Sequence, residues 1–163
     1  MSEMTKLFQF YALVIAGGKG TRFWPETTEK KPKQYLNFIS SKTLLEETLD
    51  RFESLIEKDK RFIVTVKEQE DLCLASSHGK ISKEGIIFEP SGRNTGPCIL
   101  MSLASLLAKG LSEDDVVAIV PSDHVILNRQ GFLATLKKAA FYSHQKKNIV
   151  TIGITPHFPH TGF

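Results

Sequence analysis

Cysteine is scarce: Cys73 and Cys98 are the two in 163 residues, too few for a disulfide framework and in keeping with a reducing compartment. Long uncharged runs are missing too. The longest stretches without Asp, Glu, Lys or Arg cover residues 94–108 and 148–163, 15 and 16 residues. Both fall short of the ~20 apolar residues that a membrane-spanning helix needs, and Pro156 and Pro159 interrupt the second. No transmembrane helix is expected. Residues 7–16 make a poor secretory leader, because Glu3 offsets Lys6 and Gln9 breaks the apolar run. A cytoplasmic location follows as the expectation. There is also no block of one charge sign: 21 Lys and Arg face 18 Asp and Glu, a net +3, so neither nucleic acid nor a membrane surface is expected as a partner. Repeats, low-complexity tracts and linkers are absent. With 41% hydrophobic and 24% charged residues, the composition is that of one ordinary globular domain.

Within that ordinary composition the apolar residues are ordered. Short β-branched runs at residues 10–16, 62–67, 86–89, 116–120 and 149–154 suit strands buried on both faces, as in a parallel sheet. Helical patterns separate them. Thr43 and Glu46 form a capping box, after which Leu45, Leu49, Phe52 and Ile56 repeat at helical spacing. A second helix is expected to start at Pro97, which gives up no needed N–H, and to stop near Gly110, which tolerates the left-handed conformation. A third spans 131–147, turning Phe132, Leu136, Ala139, Ala140 and one of Tyr142 or Ser143 inward. This alternation predicts an α/β fold, a Rossmann-like three-layer sandwich with a mainly parallel sheet. Ligands of such sheets bind beyond the carboxyl ends of the strands. The residues that follow each strand therefore carry the functional reading.

The first strand runs into Ala16-Gly17-Gly18-Lys19-Gly20-Thr21-Arg22. Glycines let successive N–H groups turn toward one point and cradle phosphate oxygens, and Arg22 adds a cationic fork. The spacing is not that of a Walker loop, and Phe23 stands where a dinucleotide fingerprint needs its third glycine. A plain tight turn is the competing reading. Lys33 follows Pro32, which stiffens the segment and can aim the ammonium at an anion; Lys30 and Lys31 read as solvated. After the third strand comes Glu89-Pro90-Ser91-Gly92-Arg93-Asn94-Thr95. Asn94 and Thr95 suit helix caps and Gly92 a turn, yet Arg93 at the sheet edge equally suits a base or ribose. After the fourth strand, Asp123 in Pro121-Ser122-Asp123-His124 can cap a helix or hold Mg²⁺, which favours one or two carboxylates plus phosphates and water. His124 reads as structural. His78, His144, His157 and His160 make no metal-ligand pattern, and no Ser-His-Asp or Cys-His set has a local signature. Trp24 reads as packing, and both cysteines as core thiols.

The order of these pieces resembles the sugar-nucleotide pyrophosphorylases, a nucleotidyltransferase family whose signature runs Gly-Gly-x-Gly-Thr-Arg and then Pro-Lys, here Gly17 to Arg22 and Pro32-Lys33. Gly-Thr-Arg-Phe-Trp-Pro (20–25), Pro-Lys-Gln-Tyr-Leu (32–36), Glu-Pro-Ser-Gly-Arg-Asn-Thr (89–95) and Pro-Ser-Asp-His (121–124) are most similar to its mannose-1-phosphate guanylyltransferase branch. The resemblance covers Tyr11 to the last residue. It implies transfer of GMP from GTP to mannose 1-phosphate, giving GDP-mannose and pyrophosphate by in-line attack with Mg²⁺. By the same token Arg22 and Lys33 are the expected catalytic cations, and Gly17, Gly18, Gly20, Thr21, Pro90, Gly92, Arg93 and Asn94 the nucleotide-binding residues. Asp123 is the implied metal ligand, and a homo-oligomer is compatible with the reading. Three departures stand out: Gly96 and Cys98 replace alanines, His160 replaces a glutamate of the sugar side, and the family's later Glu-Lys-Pro segment and second metal-binding Asp are not in the chain. Residues 1–163 therefore read as the nucleotide-binding part. The alternatives are a nucleotide-binding homologue without catalysis, or a related enzyme for another sugar or base.

Overall fold

The computed structural model describes residues 7–18, 24–28, 31–92 and 94–155. Among these residues four strands, β1 (Phe10–Ile15), β2 (Arg61–Val66), β3 (Ile86–Glu89) and β4 (Val116–Pro121), form one sheet in the order β3-β2-β1-β4, with every neighbouring pair parallel. Each strand lies within a residue or so of its apolar run. β1 and β2 are central, and their near-continuous burial explains why the sequence shows runs there rather than alternation.

Four helices among the same residues cover the sheet: α1 (Leu44–Phe52), α2 (Glu70–Ser77), α3 (Thr95–Ala108) and α4 (Arg129–Lys146). Alternate residues of β1 supply the two cores. Phe10, Ala12, Val14 and Ala16 pack with Leu45, Leu49 and Phe52 of α1, Cys73 of α2, and Leu136 and Ala140 of α4. Leu13 on the opposite face packs with Val64, Ile87, and Cys98 and Leu106 of α3. The result is the expected three-layer α/β sandwich.

Helix ends follow local chemistry. At α1 the capping box forms in full: the Glu46 N–H donates to Thr43 Oγ1 at 3.1 Å and the Thr43 N–H to Glu46 Oε2 at 2.8 Å. Ile56 lies beyond the end of α1, its N–H bonded to Phe52 O at 2.8 Å, and stays buried. α3 begins at Thr95, two residues before the expected Pro97, which sits within its first turn. It ends as expected. Gly110 has φ 99°, its N–H donates to Leu107 O, and the Leu111 N–H reaches back to Leu106 O, a Schellman closure. α4 starts at Arg129, where Asn128 Oδ1 accepts from the Gly131 N–H at 2.9 Å. Its buried residues are Leu136 and Ala140, and Tyr142 faces solvent.

Two expectations need correction, and one helix was not foreseen. Residues 149–154 form no strand: Ile149 is 96% exposed, and no neighbouring strand among the described residues supplies hydrogen-bond partners. An apolar run becomes a strand only where a second strand satisfies its backbone. Helix α2 went unread because Leu72, Cys73, Ser76 and Ser77 are too mixed to make an apolar stripe. Trp24 is 78% exposed rather than packed. Both cysteines are buried as expected, and burial pushes the Cys73 thiol up to about 12. Among the described residues no helix is long and apolar enough to cross a membrane.

One ion cluster ties α1 to the loops around it. Asp50 accepts from Lys42 Nζ at 2.6 Å and from Lys80 Nζ. Burial acts to raise its pKa, but the two lysine hydrogen bonds outweigh burial and hold it below the ordinary carboxylate value. A carboxyl depressed in the folded state adds stability above its unfolded pKa, and that stability is lost as pH falls through the folded value. Asp50→Asn should therefore cost about 1 kcal/mol at neutral pH. The gap from wild type should close in acid below the usual Asp range, as urea unfolding at several pH values would show.

Candidate functional site

Strand register sets the site. Ile15 pairs with Pro121 on one side and Val64 on the other, and Val66 pairs with Glu89. The carboxyl ends of all four strands thus share one edge. The Ser122 N–H donates to Ile15 O at 3.0 Å and the Ala16 N–H to Val64 O at 2.8 Å, so Gly17-Gly18 and Ser122-Asp123 leave the sheet side by side. On the other flank, a Cβ built on Gly17 would sit 3.7 Å from Glu89 Oε2.

Lys33 reaches this edge from a crossing segment. Pro32 is extended (φ −63°, ψ 158°) and Lys33–Tyr35 form a single 3-10 turn whose Tyr35 and Gln34 are buried. That turn delivers Lys33 Nζ to within 3.3 Å of Asp123 Oδ2, although the residues are 90 positions apart. Their side chains are 22% and 38% exposed, so the pair faces an opening rather than the core. Four of the expected residues, Gly17, Gly18, Lys33 and Asp123, are therefore together.

The loop carrying Gly17 and Gly18 is held from beneath by residues that the sequence reading passed over. Buried Gln34 points its Nε2 at Ala16 O (2.8 Å), Gly18 O (3.2 Å) and Gln69 Oε1 (2.9 Å). Thr65 Oγ1 adds a bond to Ala16 O at 3.1 Å. These bonds fix the Ala16 and Gly18 carbonyls on the inner side of the loop. Tyr35 OH lies 3.5 Å from Thr65 Oγ1, and burial raises its pKa well above the usual phenol value. It is a neutral hydrogen-bonding group here.

Pro90, Gly92 and Asn94 lie exposed at the same edge, after β3. Asn94 occupies the N-cap of α3 but makes no side-chain capping bond; its backbone is at φ 72°, ψ 174°. That conformation is almost confined to glycine and costs of order 1–3 kcal/mol. Because no capping bond would be lost, Asn94→Gly should raise the unfolding free energy by up to about 1 kcal/mol after the extra chain entropy of glycine is subtracted. Thermal unfolding would measure it. Nearby, burial and the Glu89 carboxylate both raise the Cys98 pKa, so this thiol is unreactive at neutral pH. Gly20, Thr21, Arg22, Arg93 and His160 lie outside the described residues.

Asp123 can be tested as a Mg²⁺ ligand on its surroundings. It is a partly exposed hard oxygen donor at the mouth of the glycine loop, and among the described residues no group of three or more His, Cys, Asp or Glu is placed to hold an ion alone. Such a site suits Mg²⁺ arriving with phosphate oxygens and water, and does not suit an ion caged by protein. The residues fit the ion on those terms.

Comparison with known proteins gives a consistent picture. The profile of the family described as nucleotidyl transferase matches residues 11–163. Mannose-1-phosphate guanylyltransferase 2 of Escherichia coli O157:H7 is 38% identical over 154 residues, which is 93% of this chain and 31% of that protein. Mannose-1-phosphate guanylyltransferase of E. coli strain K12 is 36% identical over 159 residues, 95% of this chain and 32% of that protein. A crystal structure from Thermus thermophilus, described as a mannose-1-phosphate geranyltransferase, superposes with a TM-score of 0.75 at 29% identity over 85% of this chain and 39% of its own. One from Helicobacter pylori, described as a mannose-6-phosphate isomerase, gives a TM-score of 0.74 at 26% identity over 96% of this chain and 54% of its own. The chain thus spans about a third of the length of the curated relatives it matches.

Proposed function

The chain belongs to the nucleotidyl transferase family, and from that premise we propose that it carries the nucleotide side of a GTP:mannose-1-phosphate guanylyltransferase. The supporting observation is the Lys33–Asp123 pair set beside Gly17 and Gly18 at the sheet's carboxyl edge. An oxygen of mannose 1-phosphate attacks the α-phosphorus of GTP in line, a new P–O bond forms, and the bond to the β-phosphate oxygen breaks to release pyrophosphate. No protein nucleophile is needed, so the chain contributes position and charge. Backbone N–H groups of the loop that begins at Gly17 bind phosphate oxygens. Lys33 exchanges its contact with Asp123 for the triphosphate, and Arg22 supplies a second cation as pyrophosphate leaves. Pro90, Gly92, Arg93 and Asn94 would serve the guanine. Asp123 would hold Mg²⁺, which when bound neutralises and orients the phosphates.

Calorimetry with GTP and Mg²⁺ tests this reading. A saturable heat weakened by Arg22→Ala is the expected result; no heat, or binding that Arg22→Ala leaves unchanged, would sink it. A second reading is nucleotide binding without turnover. Release of pyrophosphate from GTP and mannose 1-phosphate by this chain would exclude it. A panel of nucleotides and sugar phosphates in the same assay would expose a different base or sugar.

A further inference from the structure

Arg51 of α1 is 6% exposed, an unusual place for a guanidinium. Among the described residues no carboxylate lies within ion-pair distance of it. Its Nη2 donates to His124 O at 2.6 Å and to Thr48 Oγ1 at 2.9 Å, and Thr48 Oγ1 donates to Ser122 O at 3.2 Å. The two accepting carbonyls are those on either side of Asp123. One turn of α1 therefore grips the β4 loop before and after the carboxylate that faces Lys33. A buried cation spent on a main-chain oxygen carries a desolvation cost that hydrogen bonding must offset. A single backbone contact could be made more cheaply by a neutral side chain.

We propose that Arg51, acting with Thr48, is a positioning residue that fixes the direction in which the Asp123 carboxylate meets a metal–triphosphate ligand. The inference rests on the reading of Asp123 as the metal ligand. Groups that orient a metal ligand from behind commonly change metal affinity 10- to 100-fold when lost. Arg51 touches neither phosphate nor metal in this arrangement. Its effect passes through the backbone at His124 and Ser122.

The experiment uses the whole chain and Mn²⁺ as a paramagnetic substitute for Mg²⁺. Bound Mn²⁺ is counted by electron paramagnetic resonance in the presence of GTP, and GTP binding without metal is followed by calorimetry in a chelator. Arg51→Met and Thr48→Val should each weaken Mn²⁺ binding about tenfold or more and leave metal-free GTP binding within about twofold, with Arg51→Lys recovering part of the loss. Thr48→Val keeps the side-chain volume, so it answers the question even where Arg51→Met fails to fold. A parallel fall in metal-free binding, or unchanged Mn²⁺ affinity in Thr48→Val, overturns the proposal. Asp123→Asn separates the two levels. If it leaves Mn²⁺ binding intact, the metal reading fails and this inference with it; if it abolishes binding while the Arg51 and Thr48 variants do not, the positioning role alone fails.

Discussion

Lys33→Met and Asp123→Asn should each lower guanylyl transfer by about 10²- to 10³-fold, the usual loss when one preorganised electrostatic contact to a transition state is removed. Neither should shift the unfolding free energy by more than about 1 kcal/mol, because a partly exposed ion pair contributes little to folding. The contrast follows from where the pair sits. Nζ and Oδ2 are 3.3 Å apart in side chains 22% and 38% exposed, open enough for a triphosphate to compete for the lysine. Lys33 and Asp123 hold each other's charge, which keeps Lys33 aimed at the mouth of the glycine loop. On the proposed reading, bound nucleotide would draw the lysine to phosphate and leave the carboxylate to hold the metal. The double variant tests this exchange. If the two residues act on one ligand, its loss in Mg·GTP affinity is smaller than the sum of the single losses. Additive losses would mean that the two residues act independently, and a fall in stability matching the fall in activity would mean that the pair is a structural tie. Steady-state kinetics, or Mg·GTP calorimetry if the chain does not turn over, set beside urea unfolding of the same four proteins settles the matter.

Much of the scaffold was legible because it is written in local patterns. β1 and β2 are continuous apolar runs because both faces are covered, and the Thr43–Glu46 box and Gly110 mark helix ends by chemistry confined to one turn. Lys33 and Asp123 were singled out one at a time, the first for its place after Pro32 and the second for its place after β4, and their contact across 90 positions was not foreseen. What sequence could not supply is information held by distant partners. Residues 149–154 are as apolar as β4, and whether they pair depends on a neighbour elsewhere. α2 folds on tertiary contacts made by Leu72 and Cys73 rather than on a stripe. The supports of the site share this property. Gln34, Thr48, Arg51 and Gln69 are of polar types found mostly at protein surfaces, yet all are buried. One signal was available: in Pro-Lys-Gln-Tyr-Leu the glutamine precedes two apolar residues, Tyr35 and Leu36, that both enter the core, so the turn carrying it could not be a free surface loop.

For that glutamine the expected ranking of substitutions runs against size and polarity. Gln34→Glu keeps shape and polarity, whereas Gln34→Leu discards every hydrogen bond, so a volume argument places the glutamate variant nearer to wild type. The surroundings reverse this. The Gln34 Nε2 faces three acceptors, the Ala16 and Gly18 carbonyls and Gln69 Oε1, at 2.8, 3.2 and 2.9 Å. A carboxylate there would set a buried charge against oxygens with no proton between them, a larger cost than leaving acceptors unpaired. Leucine leaves them unpaired, at about 1–3 kcal/mol for each that finds no water. Thr65 Oγ1 can still serve Ala16 O at 3.1 Å, so the expected loss for Gln34→Leu is about 2–3 kcal/mol, and Gln34→Glu should be worse at neutral pH. Both should also weaken nucleotide binding, because freed carbonyls let the Gly17-Gly18 loop turn its N–H groups away from the phosphates. Urea unfolding gives the ranking. A glutamate variant as stable as wild type would show that Nε2 does not hold the loop, and would remove the link between the Pro-Lys segment and the proposed phosphate-binding loop.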